Sequence, residues 1–421
     1  MKALVLGFGL AFAITVVGIA SSQKKDGFGE RLEKNRYSLV IEKGRLSGTG
    51  APVLTTALAQ SHFMLVGEDQ HGIAQVPDFW SAICRVAVPA GFHTMAIETG
   101  PLAAAKLQEW VRQPDGELQI ARFEKERPDS IAFYNLKQEF EMLQQCSHLM
   151  PSGEFHLWGL DQEFLGSAGL ILERVLQTNV GPESRTAIEE LLKKSTSARA
   201  MAERSGNPGD LYLLSAAADD LLKAASALKK DGNAQAQTLF DGLVQSHNIY
   251  AENEHGSNYA SNRTRAQLMK KTFALDFVAA SRGASQGPKV LVKMGSNHLY
   301  KGRNPLHSSE IGDYIAEIAE GQGERSVHAL VLGVKASQLH YTKVGSPYAS
   351  RSLDLTQEPS DAFMKPMFDR LLVTGWTMYD LRDLRDGFDS LGSTGADMER
   401  LVFGYDFLVL IPEATPSVQI R

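Results

Sequence analysis

Short apolar runs recur along the chain at residues 62–67, 93–98, 155–160, 289–295 and 327–334. Each is strand-length and apolar at successive positions, the pattern of a strand covered on both faces. Between them apolar residues return at helical spacing, as over residues 102–111 and 133–149. Strands alternating with helices need crossover connections, which predicts an α/β fold with a central, largely parallel sheet flanked by helices.

The strand signal stops between residues 167 and 261, where amphipathic segments follow one another over 168–177, 183–204, 211–230 and 234–253. The stretch reads as a helical insertion lobe, broken by turn residues at 205–209 and 230–233. It either covers a cleft or simply packs on the core. Near the C-terminus, residues 371–374 and 376–382 are apolar, and 402–412 read as a terminal strand stopped by Pro412.

At the other end, Met1-Lys2 precedes an apolar stretch over residues 3–20 and then a polar run. This is the shape of a secretory signal peptide, with Gly18-Ile19-Ala20 supplying small residues for cleavage after Ala20. A secreted or periplasmic location follows, or an N-terminal anchor if the segment stays uncleaved. The resulting division is a signal peptide at 1–20, a lead-in at 21–60 and an α/β domain over 61–421. Cys84 and Cys146 are the only thiols. Both fall in apolar helical contexts and read as structural, with pairing left open because it depends on the distance the fold sets between them.

Charge narrows the partners. The 421 residues carry 43 Lys and Arg against 49 Asp and Glu, a net charge of −6 without a long basic run. Nucleic-acid binding needs clustered cations, so small molecules are the expected partners. The sequence is silent on oligomeric state. It contains no His-Glu-x-x-His and no Walker A motif, and its Gly-x-Ser-x-Gly match, Gly283-Ala284-Ser285-Gln286-Gly287, precedes a strand run instead of following one. The near misses to a dinucleotide fingerprint, Gly7-Phe8-Gly9 and Gly48-Thr49-Gly50, do not follow a strand.

What remains is a set of ionisable residues at predicted strand ends, where open parallel sheets form their crevices. The first strand leads into Glu68 and His71 between two glycines, the second into Glu98, the third into Asp161 and the fourth into His298. A lone carboxylate after a strand is ordinarily surface, and a lone histidine ordinarily packs or caps. Four strand ends carrying such groups converge on one rim and point to a site. Arg263 and Arg265 open the helix before the fourth strand. Arg265 shares a face with Met269, Thr272 and Asp276, which favours Arg265 as the cation turned toward the carboxylates.

These residues resemble the erythromycin esterase family, within the superfamily that also holds ChaN-type haem-uptake lipoproteins and Tiki-type proteases. The run Gly67-Glu68-Asp69-Gln70-His71-Gly72 is similar to the family's Gly-Glu-x-x-His-Gly motif, and Ala96-Ile97-Glu98 to its second-strand glutamate. Residues 133–146, with Glu139, resemble its tryptophan/glutamate helix. Trp158-Gly159-Leu160-Asp161, Arg265 through Met269, and Asn297-His298 match its later elements in order. Two features depart from the family: its late motif usually carries a second histidine where this chain has Gly295 or Ser296, and the aromatic lining of a macrolactone pocket is not identifiable.

The resemblance implies hydrolysis of an ester-like bond by activated water, without a cofactor. His71 would be the general base, tuned by Glu68 and Glu98. Arg265 and His298 would stabilise the oxyanion, Asp161 would orient one of these cations, and Glu139 would support the binding site. Residue types alone admit two other readings. Two histidines and three carboxylates can hold a divalent metal, and a secreted haem-binding protein would use Tyr300 or Met294 beside His298.

Overall fold

The computed structural model describes residues 27–254, 256–388 and 395–421; the expected signal peptide lies outside them. Ten strands form one sheet: β1 (Arg36–Glu42), β2 (Arg45–Ser47), β3 (Phe63–Glu68), β4 (Phe92–Ile97), β5 (His156–Gly159), β6 (Lys289–Gly295), β7 (Ser326–His340), β8 (Ala349–Asp354), β9 (Trp376–Asp380) and β10 (Phe407–Ala414). Their order is β2-β1-β9-β10-β7-β3-β6-β4-β5, with β8 paired to the far half of β7. The six strands from β10 to β5 are mutually parallel. The antiparallel pairings are those of β1, β2, β8 and β9. The fold is α/β, as expected, with an antiparallel margin contributed partly by the lead-in segment.

Side-chain alternation explains how the sheet is covered. In β3, Met64 and Val66 enter the core on one face while Phe63 and Leu65 enter the core on the other. β10 repeats the pattern, with Phe407, Val409 and Ile411 opposite Leu408 and Leu410. Helices Gln75–Ala87 and Lys137–His148 cover the first face, and helices Asn258–Ala280 and Ile311–Gly321 the second. The segment from Ala168 to Glu254 forms a helical lobe with a separate apolar core built on Leu172, Ile188, Leu213 and Phe240.

This order positions a site. From β3 the chain crosses over β6 to reach β4, while from β6 it crosses over β3 to reach β7. The connections after β3 and β6 therefore leave on opposite faces, and a crevice opens between the C-terminal ends of these adjacent strands.

Three local expectations are corrected. Residues 402–404 end a helix, Gly395–Gly404, and the last strand starts only at Phe407 and runs through Pro412. Proline is tolerated there because β9 pairs only with residues 407–410, leaving that side of β10 unpaired at Pro412. The helix expected from residue 133 begins at Lys137, because Phe133 takes a left-handed backbone conformation with φ 60°. The helix carrying Arg263 and Arg265 begins earlier, at Asn258.

Cys84 and Cys146 are joined by a disulfide between helices Gln75–Ala87 and Lys137–His148, with their Cα atoms 5.4 Å apart. The bond spans 62 residues, and closing a loop of that size removes about 4 kcal/mol of unfolded-chain entropy. Replacing both cysteines by serine is expected to lower stability by about 2–4 kcal/mol, read as a lower urea midpoint. An unchanged midpoint would show that the crosslink contributes nothing.

Candidate active site

β3 delivers Glu68 at its last residue, and the following turn presents His71. Gln70 fixes that turn by a two-way bond with the backbone of Gly333, accepting from its N–H and donating to its carbonyl. Gly72 has φ 84°, and a Cβ there would run into the Leu339 carbonyl, so glycine is required. β4 ends immediately before Glu98, β5 two residues before Asp161, and β6 before the short turn Ser296–His298.

Glu98 is the point where these elements meet. It is 4% exposed. Its Oε1 accepts from Arg265 Nη2 at 2.7 Å and lies 3.5 Å from His298 Nε2. Its Oε2 accepts the Gly295 N–H at 2.5 Å and lies 3.8 Å from His71 Nε2. Burial alone would raise the Glu98 carboxyl, yet His71, His298 and Arg265 together hold it well below the usual carboxylate range. Arg265 is in turn fixed by Asp161, which accepts from Nε at 2.8 Å and also from Nη2. Its Nη1 takes no part in either bond. Arg263, by contrast, is exposed.

The histidines differ in exposure. His298 is buried, with Nδ1 3.2 Å from Glu310 Oε2. Burial and Arg265 work against its charge, but Glu310 and Glu98 outweigh them and push it up to about 9. The His71 side chain is 29% exposed, the most accessible of the group. Its Nδ1 lies 3.1 Å from Glu68 Oε1, and its ring stacks on Phe133 with centroids 4.1 Å apart. Desolvation lowers its affinity for a proton, but Glu98 and Glu68 more than restore it, so its pKa is raised above 6.5.

A second tier lies beneath. Alternation along β6 turns Lys293 to the same face as Leu291, under helix Lys137–His148. Its ammonium donates to Glu68 Oε1 and, at 3.0 Å, to Glu139 Oε1. All three side chains are at most 2% exposed. Burial raises Glu68, but Lys293 and His71 bring it below its ordinary value. Burial wins at Glu139, which despite Lys293 is pushed up to about 7.

The structure thus gathers Glu68, His71, Glu98, Asp161, Arg265 and His298 into one network, with Glu139 joined through Lys293. Sequence reasoning missed Lys293, Glu310 and Phe133. A lysine inside an apolar strand run was the available signal for the first; Glu310 and Phe133 sit in irregular segments that carry no such mark. The haem-ligand candidates are corrected: Met294 and Tyr300 are buried in the second-face core, where Tyr300 packs edge-on against Tyr405 at 4.7 Å. Haem ligation needs exposed groups, and the alternation that turns Lys293 to one face turns Met294 to the other, into the core position its apolar surroundings favour.

No family model and no curated protein sequence matches the chain. Solved structures do. A mutant of the erythromycin esterase EreC in its open conformation aligns over 92% of this chain and 99% of its own, at 15% identity and a TM-score of 0.65. A Bacillus cereus protein aligns over 93% and 98% of the two chains, at 15% identity and a TM-score of 0.60. A succinoglycan biosynthesis protein covers the same shares at 14% identity and a TM-score of 0.57. The chain has an erythromycin esterase-like fold.

Lys293→Met would leave Glu68 and Glu139 buried beside each other without their shared cation. Stability is expected to fall by about 3–5 kcal/mol, measured by urea unfolding at neutral pH. The double variant Lys293→Met/Glu139→Gln is expected to recover part of that loss. Equal losses in both variants would refute the pairing of Glu139 with Lys293.

Proposed function

We propose that this chain is a secreted hydrolase of the erythromycin esterase type, cleaving an ester-like bond in a small molecule with water activated at His71. The observation that carries the reading is the orientation of that imidazole. Its Nδ1 faces Glu68, which favours the tautomer with the proton on Nδ1. Nε2 is then the basic atom, turned toward Glu98 at the accessible end of the network. The esterase-like fold supports a hydrolase, and the finer assignment rests on this geometry.

In this mechanism neutral His71 accepts a proton from water through Nε2 as the water oxygen attacks the substrate carbonyl. Glu68 and Glu98 stabilise the imidazolium that forms. The oxyanion draws on the Arg265 guanidinium, whose Nη1 takes no part in the Glu98 and Asp161 bonds, and on the charge of His298, whose ring nitrogens face Glu98 and Glu310. Asp161 orients Arg265, and Glu310 holds His298 in its charged form. His71 then returns the proton to the leaving alcohol.

We favour a metal-free reaction because of what already occupies the carboxylates. Lys293 and Arg265 donate to Glu68, Glu98 and Asp161, and a divalent ion would have to displace permanent cations from the same oxygens. The disulfide supports an oxidising compartment, in keeping with the proposed signal peptide.

The test is hydrolysis of a panel of chromogenic esters and lactones by wild type and His71→Ala, with metal content measured on the same samples. Loss of about 10²–10⁴-fold in kcat/KM, without stoichiometric metal, is expected. Chelator-sensitive activity restored by one ion would overturn the metal-free mechanism. The pH profile is a separate check. A raised pKa means that His71 stays protonated above pH 6.5 and gains base character only as pH climbs further. His298 loses its charge near pH 9. Activity is therefore expected to rise above pH 6.5 and fall beyond about 9, and a flat profile over that interval would refute these roles.

A further inference from the structure

Two clefts meet at the turn that joins β7 to β8. One, of about 310 Å³, lies between that turn and helix Gly116–Glu126, and the other, of about 500 Å³, continues toward the end of the lobe helix Pro182–Ser205. Glu124, Lys125, Pro128, Gly345 and Ser346 line both. No member of the catalytic network lines either one. Ala121, Pro128, Pro347 and Ile420 give the smaller cleft apolar walls.

Two carboxyls are set among those walls. Asp129 is 5% exposed, and its Oδ2 accepts the Gly345 N–H at 3.2 Å. Glu124 accepts from Asn135 Nδ2 at 3.2 Å through Oε2, while its buried Oε1 has no hydrogen-bond partner among the described residues. Glu124 also stands in the last turn of its helix, where the negative end of the dipole disfavours a carboxylate. Burial, and then the Asp129 charge, push its carboxyl up to about 8 against the Asn135 bond and the neighbouring Asp129 and Ile131 amides. Burial raises Asp129 as well.

The cations nearby leave this negative potential standing. Arg127 donates to Glu173 at 3.0 and 2.5 Å, and Arg199 donates to the carbonyls of Glu126 and Gly166 at 3.1 and 2.9 Å. Arg199 acts on Asp129 only through space. Lys125, Lys343 and Arg204 are exposed at the mouth of the joined clefts, and none of them pairs with either acid. Two desolvated carboxyls and the carbonyl end of a helix thus face a space that no side-chain cation of the described residues enters.

We propose that this cleft is a binding site for a small organic ammonium ion, its nitrogen held by Glu124 and Asp129 and its carbon body laid against Ala121, Pro128, Pro347 and Ile420. The three donors of an ammonium match the two carboxyls and the carbonyls at the helix end. A divalent metal suits the site less well, since two carboxylates would leave most of its coordination to water and the apolar walls unused. The site stands apart from the proposed hydrolase chemistry and does not depend on it.

The test is calorimetric titration of the full-length protein near neutral pH with benzylamine, which is protonated there, and with benzyl alcohol, its uncharged counterpart. Wild type is expected to bind the amine at least about tenfold more tightly than the alcohol. Glu124→Gln and Asp129→Asn are each expected to weaken the amine about tenfold and to leave the alcohol within about twofold. Asparagine tolerates the left-handed backbone of Asp129, φ 59°, and glutamine keeps an acceptor for Asn135, so both variants preserve the local structure. Equal affinity for amine and alcohol, no binding of the amine at millimolar concentration, or an amine affinity unchanged in both variants would overturn the site. Should a variant fail to fold, a wild-type crystal grown with benzylamine decides: nitrogen within hydrogen-bond distance of Glu124 and Asp129 supports the proposal, and the amine bound elsewhere or not at all refutes it.

Discussion

The ionised carboxylate of Glu98 is the constraint around which the site is built. An isolated carboxylate at that depth would take a proton instead of paying the desolvation cost. It stays charged because four groups converge on two oxygens: the Arg265 guanidinium, the two imidazoles and the Gly295 N–H. They come from the turn after β3, the end of β6, the turn after it and helix Asn258–Ala280. Meeting at one carboxylate, they fix the relative positions of elements that pack on opposite faces of the sheet. Removing Glu98 would leave Arg265 and His298 as like charges held close together, a more costly state than the one evolved.

Lys293 solves the corresponding problem one layer down. Two glutamates from different elements, Glu68 at the end of a strand and Glu139 in the first turn of a helix, point into the same dry space. One ammonium serves both, but only Glu68 also faces His71, so the two carboxyls are driven apart: Glu68 downward, Glu139 up to about 7. The disulfide lies on the same two-helix layer, since Cys146 is two turns beyond Glu139 on helix Lys137–His148. The crosslink thus braces the helix that delivers Glu139 to Lys293.

Much of this was legible in the sequence because parallel strands carry a strong signal and their ends are where the chemistry collects. Glu68, Glu98, Asp161 and His298 each follow an apolar run, and knowing that the runs are parallel and adjacent suffices to bring those residues to one rim. Helical spacing likewise separated Arg265 from Arg263. The losses have physical causes. β1, β2 and β8 are short or marginal strands with mixed burial, so no alternation or apolar run marks them. Lys293 was read as one position of a strand because its charge is neutralised by partners 225 and 154 residues away. Phe133 lies in a helical pattern that its left-handed backbone breaks, and its ring contact with His71 is a tertiary fact with no local trace.

The two tiers impose a compromise on His71. Carboxylates on both sides make its imidazolium easy to form, the property that the proposed base would need at the moment it takes a proton from water. The same carboxylates hold that proton in the resting protein, so the fraction of His71 able to act shrinks as its basicity grows. Lys293 moderates this. By sharing Glu68 it withdraws part of the negative charge that His71 feels, and its own charge opposes the imidazolium. The buried lysine therefore limits how far His71 can be pushed above its ordinary range, which would give an otherwise costly buried cation a place in the proposed chemistry. Glu139 completes the balance: with a carboxyl that titrates near neutrality, it can take up the charge that Lys293 does not spend on Glu68.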